Sequence, residues 1–453
     1  MPHRFPALIA APPPALGRTW LTNARLFDGT GSDLKDGAAV LIEDGVIRAV
    51  ASPGDVGSAE AACVIDLAGR VLMPGLTNAH VHASEHWPEP AVGAEAILDA
   101  TPAYFLQGAL REALRMGVTT IRDTGSLDNQ PQAARQGMRY GAFRGPRLLT
   151  CAKIVSATAP GGRFYGTMYR EADGPDDVRR AVREQIRWGA DFIKVMTTGA
   201  RSNELEDPDP TQFTDEEFAA LVEEAHRLGF RVCAHSEGLL GNEAAITHGM
   251  DTIEHGMYLN QRPDLLDKMA ANGQFLVPTL TGYYAMARFE PSVIDPIDAP
   301  VRDASPRGAR WDPQGEAYQP DMPPMLVELA LYNLEQGAKS MRAARDAGVK
   351  IALGSDGTPA LTSVEVMRMV HHGLSPKEVL VAATKTAAEA LDIDKWVGTV
   401  EQGKLADLVV IDGNPLEDPG LLRQRDRIWL VFQSGEAVVG AALERSLDGL
   451  VRA

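Results

Sequence analysis

Val71-Leu-Met-Pro-Gly-Leu-Thr-Asn-Ala-His80-Val-His82 is the stretch whose reading decides the fold. An apolar run gives way to Pro74-Gly75, and a second short run ends in His-x-His. Residues i and i+2 of an extended strand point to the same side. Both imidazoles therefore leave one edge of a strand together, at a separation suited to one metal ion. Neutral imidazole is available near pH 7, which makes histidine the commonest metal ligand. His-x-His pairs also occur by chance on wet strands, so the rest of the chain has to decide.

Outward from that stretch toward the C-terminus, strand and helix patterns alternate. The spacing predicts strands over 72–82, 119–123, 147–152, 192–196, 231–235, 252–255, 274–279 and 350–356. Helical patterns over 103–116, 176–189, 214–228 and 328–347 fall between them, and Thr214-Asp-Glu-Glu has the acidic first turn of a helix start. Alternation of this kind predicts a parallel sheet with crossover helices, and eight strands is the number of a (β/α)8 barrel. Toward the N-terminus the texture is short strands and turns, with a hairpin around Asp44-Gly45. The same texture returns after residue 403, in Asp407-Leu-Val-Val-Ile-Asp412-Gly413 and Ile428-Trp-Leu-Val-Phe-Gln-Ser434-Gly435. The expectation is an α/β TIM-like barrel over 74–397 with a small β-sandwich domain, 19–73 plus 398–453, formed by both chain ends. Residues 1–18, broken by prolines, read as a flexible leader. The Pro- and Asp-rich stretch 285–324 follows the seventh strand and reads as a lid at the C-terminal rim.

Composition narrows the function classes. The chain has 453 residues, 45% hydrophobic and 23% charged, which is ordinary globular usage. Sixty-one acidic against 44 basic residues give a formal net charge of -17, which argues against nucleic acid or an anionic membrane as partner. Cys63, Cys151 and Cys233 show no C-x-x-C spacing, so a reducing, cytoplasmic setting is expected. No apolar stretch approaches the roughly 18 residues of a membrane span.

The ends of the predicted strands carry His80, His82, Asp123, Lys194, His235, His255 and Asp356. Taken singly, His235 and His255 read equally as satisfied half-buried histidines, Asp356 as a turn or cap residue, and Lys194 as an exposed strand lysine. Together they would converge on the C-terminal face of the barrel, where charged groups are costly unless paired or metal-bound. Lys194 stands alone in the apolar run Phe-Ile-Lys-Val-Met.

These residues resemble the amidohydrolase superfamily of metal-dependent hydrolases. The marks are Pro74-Gly75 through His82, the strand-end His235 and His255, Gly354-Ser355-Asp356, and Gly403-Lys-Leu-Ala-Asp407. Ala190-Asp-Phe-Ile-Lys194-Val-Met and Ala234-His235 are similar to the prolidase-like and imidazolonepropionase-like branch. The resemblance implies two divalent metal ions, zinc or alternatively cobalt or manganese, with Lys194 carboxylated on its amine to bridge them. His80, His82 and Asp356 would hold one ion, and His235 and His255 the other. It further implies that a bridging hydroxide attacks a carbonyl while Asp356 carries the proton to the leaving nitrogen. Tyr165, in the loop Gly161-Gly-Arg-Phe-Tyr165-Gly, is the expected additional oxyanion donor. Relatives often carry a histidine where Arg163 stands; Arg163 or Arg201 could clamp a carboxylate, or each could be a solvated surface residue. His86 is expected to line the pocket, Asp123 to support the site, and Cys233 to pack.

The expected substrate is a small molecule: a peptide or N-acyl amino acid, or an aryl amide, carbamate or phenylurea. A cyclic amide, as for imidazolonepropionase, is the nearest alternative. Mononuclear deaminases generally lack the strand-four lysine, and non-enzymatic scaffolds lose ligands, so Lys194 and the full ligand set count against both. The resemblance also implies a homo-oligomer.

Overall fold

The computed structural model describes residues 17–52, 62–84, 100–201, 205–287 and 324–444. Strands β1 (Arg18–Leu26), β2 (Lys35–Glu43), β3 (Val46–Ala51), β4 (Ala62–Asp66) and β5 (Val71–Pro74) belong to one sheet. β2 and β3 form the expected hairpin, in which Asp44 at φ 51° and Gly45 at φ 79° supply the two left-handed residues of a tight turn. Of the leader expected over residues 1–18, Arg18 opens β1, and residues 1–16 lie outside the described residues.

Gly75 divides the opening stretch, and the single strand expected over 72–82 is two. β5 ends at Pro74, and β6 (Leu76–Val81) enters a different sheet. A Cβ on Gly75 would lie 2.1 Å from Thr119 Oγ1, so the chain can cross between the sheets there only without a side chain.

β6, β7 (Val118–Asp123) and β8 (Arg147–Thr150) run parallel. A short parallel pair, β9 (Ile154–Ser156) and β10 (Tyr169–Glu171), flanks β11 (Ile193–Met196). From β11 the parallel order continues through β12 (Val232–Ser236), β13 (Thr252–His255), β14 (Phe275–Val277) and β15 (Lys350–Ile351). Two hydrogen bonds join the runs into a ring. Asp191 N donates to Thr150 O at 2.8 Å between β8 and β11, and Ala79 N donates to Leu353 O at 2.8 Å between β6 and the chain leaving β15. β6–β8 and β11–β15 are thus the eight strands of a (β/α)8 barrel. Helices Thr101–Arg115, Pro175–Arg187, Asp215–Arg227 and Pro324–Asp346 occupy the expected places. Thr214 and Glu217 close a capping box on the third of these.

The eighth strand, expected to reach Asp356, covers only Lys350–Ile351. Beyond it Asp356 adopts φ 55°, which no ladder residue can hold.

β16 (Leu408–Ile411), β17 (Ile428–Gln433) and β18 (Glu436–Val439) return to the first sheet, β16 pairing antiparallel with β5. A bridge from Val46 to Leu405 folds that sheet over itself. Leu21 and Ile42 from one chain end and Leu408 and Phe432 from the other share its buried core, so both ends build the β-sandwich. No helix among the described residues is long and apolar enough to cross a membrane. Of the lid expected over 285–324, all but 285–287 and 324 lies outside the described residues.

Candidate active site

The barrel brings His80, His82, Lys194, His235, His255 and Asp356 together at the C-terminal ends of its strands. His80, His255 and Asp356 each place a ligand atom within 4.8 Å of the others. Asp356 Oδ1 lies 3.4 Å from His80 Nε2 and 3.3 Å from His82 Nε2. Its other oxygen lies 3.8 Å from His255 Nδ1, and His255 Nε2 is 2.9 Å from His235 Nδ1. His82, Lys194, His235, His255 and Asp356 line one cavity of about 1070 Å³, counted out to its open mouth.

Each imidazole is oriented by what its other nitrogen meets. His80 Nδ1 sits 2.6 Å from Glu254 Oε2, and His82 Nδ1 sits 2.6 Å from the carbonyl of Gly125. Both partners accept, so both rings carry their proton on Nδ1 and turn Nε2 toward Asp356. Asp123, fully buried, accepts from Ala83 N and Ser126 Oγ and so ties the end of β6 to the loop that holds Gly125.

Electrostatics suit ligation. Burial pushes His255 down to about 3, with His80 and Lys194 adding to it, and burial and His255 hold His235 well below the usual range. Burial alone would raise Asp356, but the His80 and His82 rings beside it prevail and keep its carboxylate well below the usual range. The site thus offers the neutral imidazoles of His235 and His255 beside an anionic carboxylate. Backbone strain gathers here too: His255 (φ 68°), Thr279 (φ 49°) and Asp356 (φ 55°) are all left-handed, each at a cost of about 1–3 kcal/mol. Thr279 accepts a 2.7 Å hydrogen bond from His255 Nδ1.

Several sequence expectations need correction. The Gly161-to-Tyr165 loop is a short helix, Pro160–Tyr165, because Pro160 opens it and buried Glu206 accepts the Gly161 N–H. That helix puts Tyr165 in the cavity wall but leaves Arg163 exposed and outside the lining. Arg201 also stays out of the lining, its guanidinium bound to Asp209 Oδ1 at 3.2 Å and stacked over Tyr258. Neither arginine is placed to clamp a substrate carboxylate. His86 lies outside the described residues. His226 and His248 pair with Asp251 and Asp215, away from the site. Cys233 is buried beside Lys194, and burial pushes its thiol up to about 11.

Sequence reasoning missed four residues. Glu254 accepts from His80, from Arg122 Nη2 at 2.8 Å and from Thr252, and both Glu254 and Arg122 are buried inside the barrel. Glu237 and Tyr283 face the cavity and are hydrogen-bonded to each other. The signal was present for the first pair: Thr-Ile-Glu-His and Thr-Ile-Arg-Asp place opposite charges in two strands too apolar to leave them solvated.

Known proteins agree with this geometry. The amidohydrolase family profile matches residues 71–438. Ochratoxinase of Aspergillus niger is 29% identical over 450 residues, covering 92% of this chain and 86% of its own. The structure of a prolidase complexed with N-methylphosphonate-L-proline is 29% identical with a TM-score of 0.79, over 93% of this chain and 100% of that one. That of phenylurea hydrolase B is 25% identical with a TM-score of 0.72, over 95% and 98%. With the matched profile spanning most of the barrel and reaching into the β-sandwich, the chain belongs to the amidohydrolase family, as a hydrolase of carbon–nitrogen bonds.

Proposed function

We propose that the chain is a binuclear metal-dependent amidohydrolase that cleaves the C–N bond beside a carbonyl in a peptide, N-acyl amino acid, or aryl amide, carbamate or phenylurea. One observation carries the reading. Lys194 is 1% exposed, and its Nζ has no hydrogen-bond partner among the described residues, in a cavity shared with three histidines and Asp356. A lone buried ammonium is costly. Carboxylation of Nζ replaces it with two anionic oxygens, which fits the neutral imidazoles around it. The donor set then suits two divalent ions: His80, His82 and Asp356 for one, His235 and His255 for the other, with the carbamate shared. Nitrogen and oxygen donors favour zinc, and cobalt or manganese accept the same set. Divalent ions held there lower the pKa of water and polarise a carbonyl.

The chain's own residues do the rest. Asp356 receives a proton at Oδ2, the oxygen not shared between His80 and His82, and hands it to the leaving nitrogen. Tyr165 presents its phenol from the cavity wall to the carbonyl oxygen. The ligand named with the prolidase supports the bond choice, since a phosphonate on proline nitrogen mimics a carbonyl under attack beside that nitrogen.

Metal analysis and a hydrolysis screen test this together. Wild type should carry two ions per chain, and Lys194→Ala should lose bound metal and activity in step. Two ions retained by the variant would remove the binuclear assignment. Asp356→Asn should keep most of its metal while turnover falls by about 10²–10⁴-fold; substantial residual rate would remove Asp356 as proton carrier.

A further inference from the structure

Two residues past His235, the chain leaves β12 with Glu237, a carboxylate 4% exposed that still faces the cavity. Its oxygens are held from different sides. Tyr283 donates its phenol O–H to Oε1, and the Arg201 backbone N–H donates to Oε2 at 2.5 Å. A carboxylate accepts about four hydrogen bonds, so both oxygens keep capacity. Tyr283 has one proton and gives it to Glu237, so its oxygen is left as an acceptor. The cavity thus shows two adjacent acceptors at this point. Lys194 aside, no lysine or arginine is among the described residues that line it. Arg201, whose charge is near, is engaged by Asp209 and by the Glu237 carbonyl.

The position relative to the metal ligands matters. Glu237 Oε2 lies 3.7 Å from His235 Nε2, so a donor bound to this carboxylate sits beside whatever carbonyl the ligands face. An α-ammonium is two bonds from its own carbonyl carbon and matches that placement. Ile154, Met168, Tyr169, Met196 and Leu361 supply an apolar wall in the same cavity.

Resting on the amide-hydrolase reading, we propose that Glu237 and Tyr283 form a subsite for a protonated primary amine. The favoured substrates are then aminoacyl amides with a free α-ammonium and an apolar side chain, ahead of amides that lack the amine.

The test compares zinc-loaded wild type and Glu237→Gln on leucyl-4-nitroanilide and on 4-methylpentanoyl-4-nitroanilide, which lacks only the amine. Wild type should favour the amine, and the ratio of the two kcat/KM values should fall about 10–100-fold in Glu237→Gln, the worth of a hydrogen bond to a charged group. A second readout needs no turnover: calorimetric binding of leucinol and of 4-methylpentan-1-ol. Leucinol should bind wild type at least about tenfold more tightly than its deamino analogue, and Glu237→Gln should lose that margin. If leucinol shows this pattern while neither anilide is cleaved, the subsite stands and the amide-hydrolase reading falls. Equal binding of the two alcohols by wild type overturns the subsite without any variant. A margin that survives in Glu237→Gln overturns it as well, because the metals alone would then hold the amine.

Discussion

Glu254 sets the chemistry of His80 from beneath. Burial works to raise its pKa, but Arg122 and His80 prevail and hold the carboxylate well below the usual range. It therefore stays anionic and accepts the His80 Nδ1 proton, with Nε2 turned toward Asp356. Glu254→Gln keeps the shape and an acceptor but loses the charge that makes the imidazole a stronger donor to metal. Zinc affinity, read by competition with a chelator, should fall about 10–100-fold. Unchanged affinity would mean that position alone, not charge, is what Glu254 supplies. Glu254→Ala is expected to be harsher, because it strands Arg122 in the barrel at a cost of about 3–5 kcal/mol in urea unfolding.

The helix Leu280–Ala287 brings two groups to the site, and its placement depends on a distant residue. Gly282 backs onto Asp356 so closely that a Cβ would lie 2.9 Å from Oδ2, and Tyr283 reaches the cavity. The N-terminal N–H groups of Leu280 and Thr281 are capped by Glu365, which belongs to the helix Thr362–His371. Burial pushes Glu365 up to about 7, against an unfolded value of about 4.3. Its folded pKa is the higher one, so its contribution to stability is whole below about pH 4.3 and is lost as pH rises through 7. Glu365→Gln cannot ionise. The stability of the variant relative to wild type should therefore climb by on the order of 3 kcal/mol between pH 4 and 8, and a difference flat with pH would show that Glu365 ionises freely in the fold. This cap joins residues 84 and 85 positions apart and leaves no local mark in the sequence. What the sequence does mark is local: His80 and His82 by alternation, Lys194 by standing alone in an apolar strand, Thr214 by the acidic first turn that follows it. Asp356 was legible as a strand-end residue, yet its left-handed backbone was not, since a non-glycine residue there is fixed by tertiary contacts. Arg163 misled for a related reason. Its neighbours spell a loop, and the Glu206 carboxylate that accepts the Gly161 N–H at the start of that helix comes from 45 residues away.

At the scale of the molecule, the barrel and the β-sandwich are pinned together at the end opposite the site. Arg147, which opens β8, meets Asp407 just before β16 at 2.5 Å, with side-chain exposures of 8% and 2%. The Asp407 carbonyl accepts from Gly75 N, where the chain passes from one sheet to the other, and its second carboxylate oxygen accepts from Ser434 N at 2.7 Å in the β17–β18 turn. One residue thus fixes the crossover, a barrel strand and the last hairpin. The N-terminal face of a (β/α)8 barrel serves stability, and chemistry sits at the other face. Asp407→Ala leaves a guanidinium buried without its partner, which costs about 3–5 kcal/mol. Asp407→Asn keeps the Ser434 contact and should cost less. Because the proposed metal ligands lie at the far ends of the strands, the folded fraction of either variant should bind as many ions per chain as wild type and turn over at its rate. Urea unfolding followed alongside metal content separates the two effects. A variant that unfolds no sooner than wild type would show that the interface is held by apolar packing alone, and one that folds but loses metal would show that strain at the bottom of the barrel reaches its top.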